Sequence, residues 1–161
     1  VDPHTSQGQL DALIDDLRLP TLQGSSTSPN AAALQGRFAV EPNEDGVLEL
    51  GFDFHDDYCD FSLVDHRGRH SLRVGLQQPV ESRTSITGNY LHHQYQPDQT
   101  PVIAQGRWSA EGALQMDWRF VETTFGDHVS CRLQEGRLLF DRGVNTNAGS
   151  MQRPTLIGTR I

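Results

Sequence analysis

The chain has 161 residues, enough for one domain with a sizeable core, and 35% of them are apolar. Net charge is −8 and all 13 basic residues are arginine, a balance that argues against nucleic acid as a partner because phosphate contacts need a concentrated basic face. The missing lysine excludes Schiff-base chemistry, a lysine general base, a Walker A loop and a serine activated by lysine; no run approaches the roughly 18 to 20 apolar residues of a membrane-spanning helix, and no pattern calls for a cofactor.

The first residues, VDPHTSQGQ, carry neither the basic n-region nor the apolar h-region of a signal peptide. Residues 1–33 read as an N-terminal helix and linker, and residues 34–161 as a β-barrel domain. In SQGQLDALIDDLRLP, Leu10, Leu13, Ile14 and Leu17 have the spacing of one helical face; Ser6 is placed to cap the helix and Pro20 to stop it. The following TLQGSSTSPNAAA is small, polar and Pro/Gly-bearing, as linkers are. A helix this short is marginal in water, so its apolar face is expected to dock on the barrel or on another domain.

From Leu34 onward the apolar period is two. VLELGFDF (47–54) puts Leu48, Leu50, Phe52 and Phe54 on one side; Cys59, Phe61 and Leu63 alternate next, then Leu72, Val74 and Leu76 after the turn HRGR. Val102, Ala104, Gly106 and Trp108 precede the turn AEG, and Leu114, Met116, Trp118 and Phe120 run back. Phe125-Gly126 and Glu135-Gly136 read as two-residue hairpin turns flanking Val129, Cys131 and Leu133, with Leu138 and Phe140 beyond. These loops predict Trp108 opposite Leu114, Ala104 opposite Trp118, Phe120 opposite Cys131, and Cys131 opposite Phe140. VNTNAGS (144–150) reads as a loop. About ten strands sharing one apolar face are expected to close, because closure removes exposed edges; GRFAVE (36–41) and TLIGTRI (155–161) are the closing pair. The fold class is therefore all-β: an antiparallel up-and-down barrel of about 8–10 strands, lipocalin-like, with a short N-terminal helix.

Glu122 ends the inward row of Leu114, Met116, Trp118 and Phe120. The same registers set it opposite Val129, and Val129 opposite Arg142. Glu122 and Arg142 are thus expected to face inward in one row, as a structural ion pair near a barrel end or as a polar anchor for a ligand head group; an unpartnered buried carboxylate costs several kcal/mol. General acid–base catalysis needs a second titratable partner, and no spacing supplies one. His66 and His70 flank a turn and His92-His93 alternate on a strand, so these read as solvated. HDDYCD (55–60) lacks the alternation and closing glutamate of a calcium loop and reads as an acidic turn, not a metal site. Cys59 and Cys131, without a C-x-x-C motif, read as buried free thiols. Trp108 and Trp118 read as core, with ligand stacking as the alternative.

The run from GRWSAEGALQMDWRFVETTFGDH to RPTLIGTRI resembles the C-terminal β-domain of β-lactamase-like serine hydrolases (relatives of class C β-lactamase, D-aminopeptidase and the penicillin-binding proteins). The matching features are G-x-W before a hairpin, R-F-V-E-T at 119–123, an L-x-F-D strand and R-P-x-L-x-G at 153–158. The resemblance implies an accessory domain that shapes the active site of a serine-hydrolase catalytic domain, its partner in the same native polypeptide, or that mediates homo-oligomer contacts. That family's S-x-x-K serine and lysine are absent here, so no catalytic residue carries over and the chain reads as a non-enzyme. The alternative is a lipocalin-like barrel that binds a small apolar or amphipathic ligand through Trp108, Trp118, Phe120, Glu122 and Arg142.

Overall fold

The computed structural model describes residues 22–86, 99–122, 126–146 and 149–161; the expected helix at 10–17 and His92-His93 lie outside them. The two-residue periodicity becomes eleven strands among the described residues, preceded by one short helix. In chain order these are α1 (Asn30–Leu34), β1 (Gly36–Val40), β2 (Glu49–Phe54), β3 (Tyr58–Asp65), β4 (Gly68–Gly75), β5 (Val80–Thr84), β6 (Thr100–Trp108), β7 (Leu114–Phe120), β8 (Gly126–Gln134), β9 (Arg137–Thr146), β10 (Gly149–Gln152) and β11 (Leu156–Arg160). Nine of them form a closed ring, β9–β11–β1–β2–β3–β4–β6–β7–β8 and back to β9. The expected pair closes it: Phe38 lies opposite Arg160 and Val40 opposite Gly158.

The expected up-and-down antiparallel order has one departure. β4 and β6 run parallel and meet at a single bridge, Gly75 with Gln105. β5 pairs antiparallel with β6, from Val80 opposite Ala104 to Thr84 opposite Thr100. It is tied to β4 on its other flank, where the Arg73 N–H donates to Ser82 Oγ at 3.3 Å. The ring is therefore mixed, with β5 as a side strand at its one parallel seam.

Trp108 faces Leu114, Ala104 faces Trp118 and Cys131 faces Phe140, as the turns predict. Glu135 and Gly136, with φ of 53° and 78°, make the last hairpin a two-residue turn with both central residues left-handed. The β7–β8 register differs: Cys131 lies opposite Leu114, not Phe120, and Gly126 already lies opposite Arg119. Gly126 is the first residue of β8 rather than part of a tight turn, so the connection is longer than Phe125-Gly126. VNTNAGS is not a loop either: β9 continues to Thr146 and β10 returns beside it, with Met151 opposite Val144.

The barrel's two ends differ. At the Trp108 end, residues 22–33, read above as linker, lie against the wall together with Leu34 and Gln35. Ser25 and Trp108 exchange backbone hydrogen bonds at 2.9 and 2.8 Å, and Leu34 of α1 is buried. Asn30 Nδ2 donates to the Gly112 carbonyl at 3.0 Å, and Gln35 joins Asp53 and the Phe54 N–H. Gly24 makes this approach possible: its φ is 134°, and a Cβ there would sit 2.3 Å from the Trp108 carbonyl oxygen. The middle of the barrel is filled by aromatic rings. Phe38 meets Phe52, Phe52 meets Phe61, and Phe61 meets both Trp118 and Phe140 at centroid distances of 5.3 and 5.8 Å. Since β3 is three strands from β7 and four from β9 around the ring, Phe61 spans the interior.

On the outer face, His128 Nδ1 meets Asp117 Oδ1 at 2.7 Å and Nε2 meets Gln115 Oε1 at 3.0 Å. The hydrogen bond to Asp117 raises the His128 pKa against the opposing effect of partial burial, with the carboxylate's charge adding to the rise.

Two outcomes follow from this packing. Phe61→Ala should lower unfolding free energy by about 3–5 kcal/mol, as full truncation of a core phenylalanine does; a loss below about 1 kcal/mol in urea titration would show that this ring does not hold the walls. Because His128 has a raised folded pKa, its bond to Asp117 contributes fully below the unfolded imidazole value of about 6.5 and fades as pH rises through the folded value. The urea midpoint should therefore drift down above neutral pH by less than about 1 kcal/mol equivalent, since the ring is partly exposed, and His128→Gln should remove the drift.

Candidate functional site

The polarity of the interior changes along the barrel axis. Toward Trp108 the inward positions are Leu114, Leu138, Phe54 and Val74. Toward the opposite end, where β6, β4 and β11 begin and β7 and β9 finish, buried polar side chains enter the lining: His70, Thr84, Thr100 and Asp127. The two remaining buried polar residues, Gln105 and Asp117, pair with each other on the outer side of β6 and β7.

Asp127 and Arg142 form the ion pair of this end. Trp118 lies opposite Asp127, and Asp127 opposite Val144, so Asp127 shares the inner row of the indole. Arg142 Nε donates to Asp127 Oδ2 at 2.7 Å. Nη2 lies 2.5 Å from the same oxygen, a charge contact rather than a well-directed hydrogen bond. The Asp127 side chain is fully buried and that of Arg142 is 11% exposed. The guanidinium also sits 5.2 Å over the Trp118 ring. The expected partner of Arg142, Glu122, is not there. It sits exposed in the turn after β7, because the β7–β8 pairing brings Met116, not Glu122, opposite Val129. The sequence signal that pointed to Arg142 also covers Asp127, an acid at an inward-parity position of β8, once the register is known.

Two buried donors at this end of the barrel lack a partner among the described residues: Trp118 Nε1–H and Thr100 Oγ1–H. Leaving such a group unpaired costs about 1–3 kcal/mol. Phe120, opposite Val102 and buried, is next to Trp118 in the inward row. Of the five residues expected to meet a ligand, Trp118, Phe120 and Arg142 therefore share one end. Trp108 is at the other, against Phe54 at 5.7 Å beyond the aromatic belt, and Glu122 faces solvent.

A second polar cluster occupies the same end. His70 is not solvated but 5% exposed, because it lies opposite Leu63 on the inward row of β3 and β4. Its Nδ1 meets Ser85 Oγ at 2.7 Å and its Nε2 meets Asp65 Oδ1 at 2.8 Å. The Arg67 N–H donates to the same Asp65 oxygen at 2.8 Å, and Arg67 Nη2 lies 3.6 Å from Oδ2 and 3.3 Å from the Ser85 carbonyl. Burial pushes the Asp65 carboxyl up, but the hydrogen bonds from His70 and the Arg67 N–H, with the positive charge of Arg67, outweigh it and hold the carboxyl below its ordinary value. Asp65 and Ser85 carried no signal in the sequence, being single residues beside turns. His66 is exposed, as expected.

Elsewhere the chemistry is self-contained. Asp53, His55 and Asp60 bring ligand atoms within 4.8 Å of one another. Arg73, however, grips both oxygens of Asp60 at 2.9 and 3.2 Å, and His55 bonds Asp53 at 3.1 Å while stacking on Tyr58. Cys59 and Cys131 are free and buried, and burial pushes both thiols well above the ordinary range, where they are unreactive.

No protein-family model and no curated protein sequence matches the chain. Solved structures do match its fold. Lipid binding protein 8 of Caenorhabditis elegans superposes with a TM-score of 0.59 at 10% identity, over 81% of this chain and 96% of that one. The REP1-NXSQ fatty acid transporter superposes with a TM-score of 0.57 at 13% identity, over 81% and 97%. At such identities the likeness is one of fold. It corrects the resemblance to the accessory β-domain of β-lactamase-like serine hydrolases: these two neighbours are a lipid binding protein and a fatty acid transporter. The motifs behind that resemblance are strand and turn patterns that a meandering barrel of any descent produces, and Val121 and Glu122 of its R-F-V-E-T already lie in a turn after β7.

The pair at the polar end has a thermodynamic signature. Arg142→Met alone, or Asp127→Asn alone, should cost about 3–5 kcal/mol, since each leaves a buried group without its partner. Asp127→Leu combined with Arg142→Met should recover most of that loss in the same urea titration. Additive losses would mean the two side chains do not act as a pair.

Proposed function

We propose that the barrel binds a small amphipathic lipid whose polar head lies among Arg142, Trp118 and Thr100 and whose apolar part lies against Phe120 and the aromatic belt. The observation that carries this reading is the change of interior polarity along the axis, with two buried unpartnered donors at its polar end. The lipid-binding and fatty-acid-transporting functions printed for the two fold neighbours support the ligand class. Barrels of this strand number hold one small ligand.

The head-group chemistry follows from charge. Asp127 neutralises Arg142, so this end has no surplus positive charge to draw in a carboxylate. The Trp118 N–H and the Thr100 hydroxyl are neutral donors that suit a carbonyl or hydroxyl oxygen, as in an ester, amide or alcohol. Phe61, in contact with two walls, limits the depth available to the apolar part and favours short and medium chains over long ones. Glu122 and Trp108 are not assigned to the ligand.

Tryptophan fluorescence tests this reading. With Trp108→Phe leaving Trp118 as the reporter, methyl esters of medium-chain fatty acids should shift its emission and bind at least about fivefold tighter than the free acids, a difference of about 1 kcal/mol. Asp127→Asn should reverse that order by uncovering the Arg142 charge. A flat response across esters, acids and alcohols would defeat the proposal.

A further inference from the structure

The His70 cluster has a geometry that lipid binding does not require. A serine hydroxyl, an imidazole and a carboxylate are joined in series by hydrogen bonds of 2.7 and 2.8 Å, with the imidazole between the other two. Nucleophilic catalysis by serine is recognised by this arrangement of roles, not by chain order. Each role here comes from a different piece of backbone: Asp65 from the end of β3, His70 from β4 and Ser85 from the residue following β5. We propose that Ser85, His70 and Asp65 form a nucleophilic triad that hydrolyses carboxylic esters, with the lipid esters of the preceding section as the substrate class. The substrate assignment rests on that reading, whereas the triad itself stands on its own geometry.

The imidazole is used in the reverse sense from the serine-protease triad, in which the serine faces Nε2 and the aspartate Nδ1. Here the neutral tautomer with a proton on Nε2 donates to Asp65 and leaves the Nδ1 lone pair to accept from Ser85 Oγ–H. Asp65 is a positioning residue. It is held by the Arg67 N–H on the oxygen that receives His70 and by the Arg67 guanidinium on the other side, so the imidazole has one orientation. Arg67 Nη2, bonded to the Ser85 carbonyl at 3.3 Å, also places a positive charge beside the nucleophile. Ser85 is half-buried rather than sealed, unlike His70. Its neighbour Thr84 lies opposite Thr100, whose hydroxyl belongs to the polar end of the barrel.

The reaction balances with water as the sole co-reactant. Ser85 Oγ attacks the ester carbonyl carbon while His70 Nδ1 takes the hydroxyl proton. The tetrahedral adduct expels the alkoxide, which leaves as the alcohol with the proton from His70, and an acyl-Ser85 ester remains. Water, deprotonated by the same Nδ1, attacks that ester. The fatty acid is released, and Ser85 regains its proton from His70.

Three measurements on the full chain decide the matter. A fluorophosphonate probe should add one phosphonyl group to the intact protein, mapped to Ser85. p-Nitrophenyl butyrate should be hydrolysed at least about tenfold faster than in buffer. Ser85→Ala should lose both the label and the turnover while keeping the Trp118 fluorescence response to methyl esters, which separates failure of the triad from failure of the binding reading. Asp65→Asn, with its near-ultraviolet circular dichroism checked for a native fold, should slow kcat at least about 30-fold with KM nearly unchanged, as loss of an orienting carboxylate does. Labelling elsewhere, no labelling, labelling without turnover, or turnover that survives Ser85→Ala would each overturn the proposal.

Discussion

Phe61 is the contact on which the interior is arranged. Closing nine strands fixes a ring of walls but leaves open how far they stand apart, and a barrel this wide can hold space at its centre. Here one ring from β3 reaches Trp118 on β7 and Phe140 on β9. Phe52 and Phe38 extend the same belt to β2 and β1. The belt divides the interior into two halves of different character. Behind it, Trp108, Phe54 and Leu34 are packed under α1 and the Ser25 bridge. In front of it, the lining becomes polar.

That front half gathers the energetically expensive groups of the molecule. A fully buried carboxylate, a nearly buried guanidinium, a buried imidazole and two donors without a partner among the described residues lie within one end of one small domain. Replacing such groups by well-packed apolar residues is commonly neutral or stabilising. Their concentration at one end, and not evenly around the ring, is what the proposed site rests on. It also separates two kinds of polar chemistry: the Asp127–Arg142 pair, backed by the Trp118 face, and the Asp65–His70–Ser85 series across the β3, β4 and β5 segments. The first is the head-group site proposed above and the second the proposed triad.

The mixed seam between β4 and β6 brings the second set together. Had the meander continued antiparallel from β4 into its neighbour, β5 would pair along β4. Instead β5 pairs with β6, and its link to β4 is made by side chains: Ser82 to the Arg73 backbone and Ser85 to His70. A side-chain seam uses polar residues where a ladder would use backbone, and so a serine faces a histidine there.

The amino-acid sequence by itself determined the class of structure. Strict alternation, Gly-bearing turns and complementary end segments specify a closed β-barrel, because period-two apolar rows have one face to bury and closure is the way to bury it without edges. It also determined most of the inward set, including Trp118, Phe120 and Arg142, and the two buried thiols, but not its ends: Leu48, expected beside Leu50, is 59% exposed. It did not determine which inward residue meets which. The β7–β8 register differs from the expected one by an even number of residues, and an even slip keeps every inward side chain inward; alternation is blind to it. That slip exchanges Glu122 for Asp127 as the partner of Arg142. The meeting of Ser85 with His70 and Asp65 was equally illegible, since the place of Ser85 depends on which strand β5 pairs with. Only the tertiary structure decided these contacts, because pairing across a sheet is set by loop length and three-dimensional closure, which no local pattern encodes.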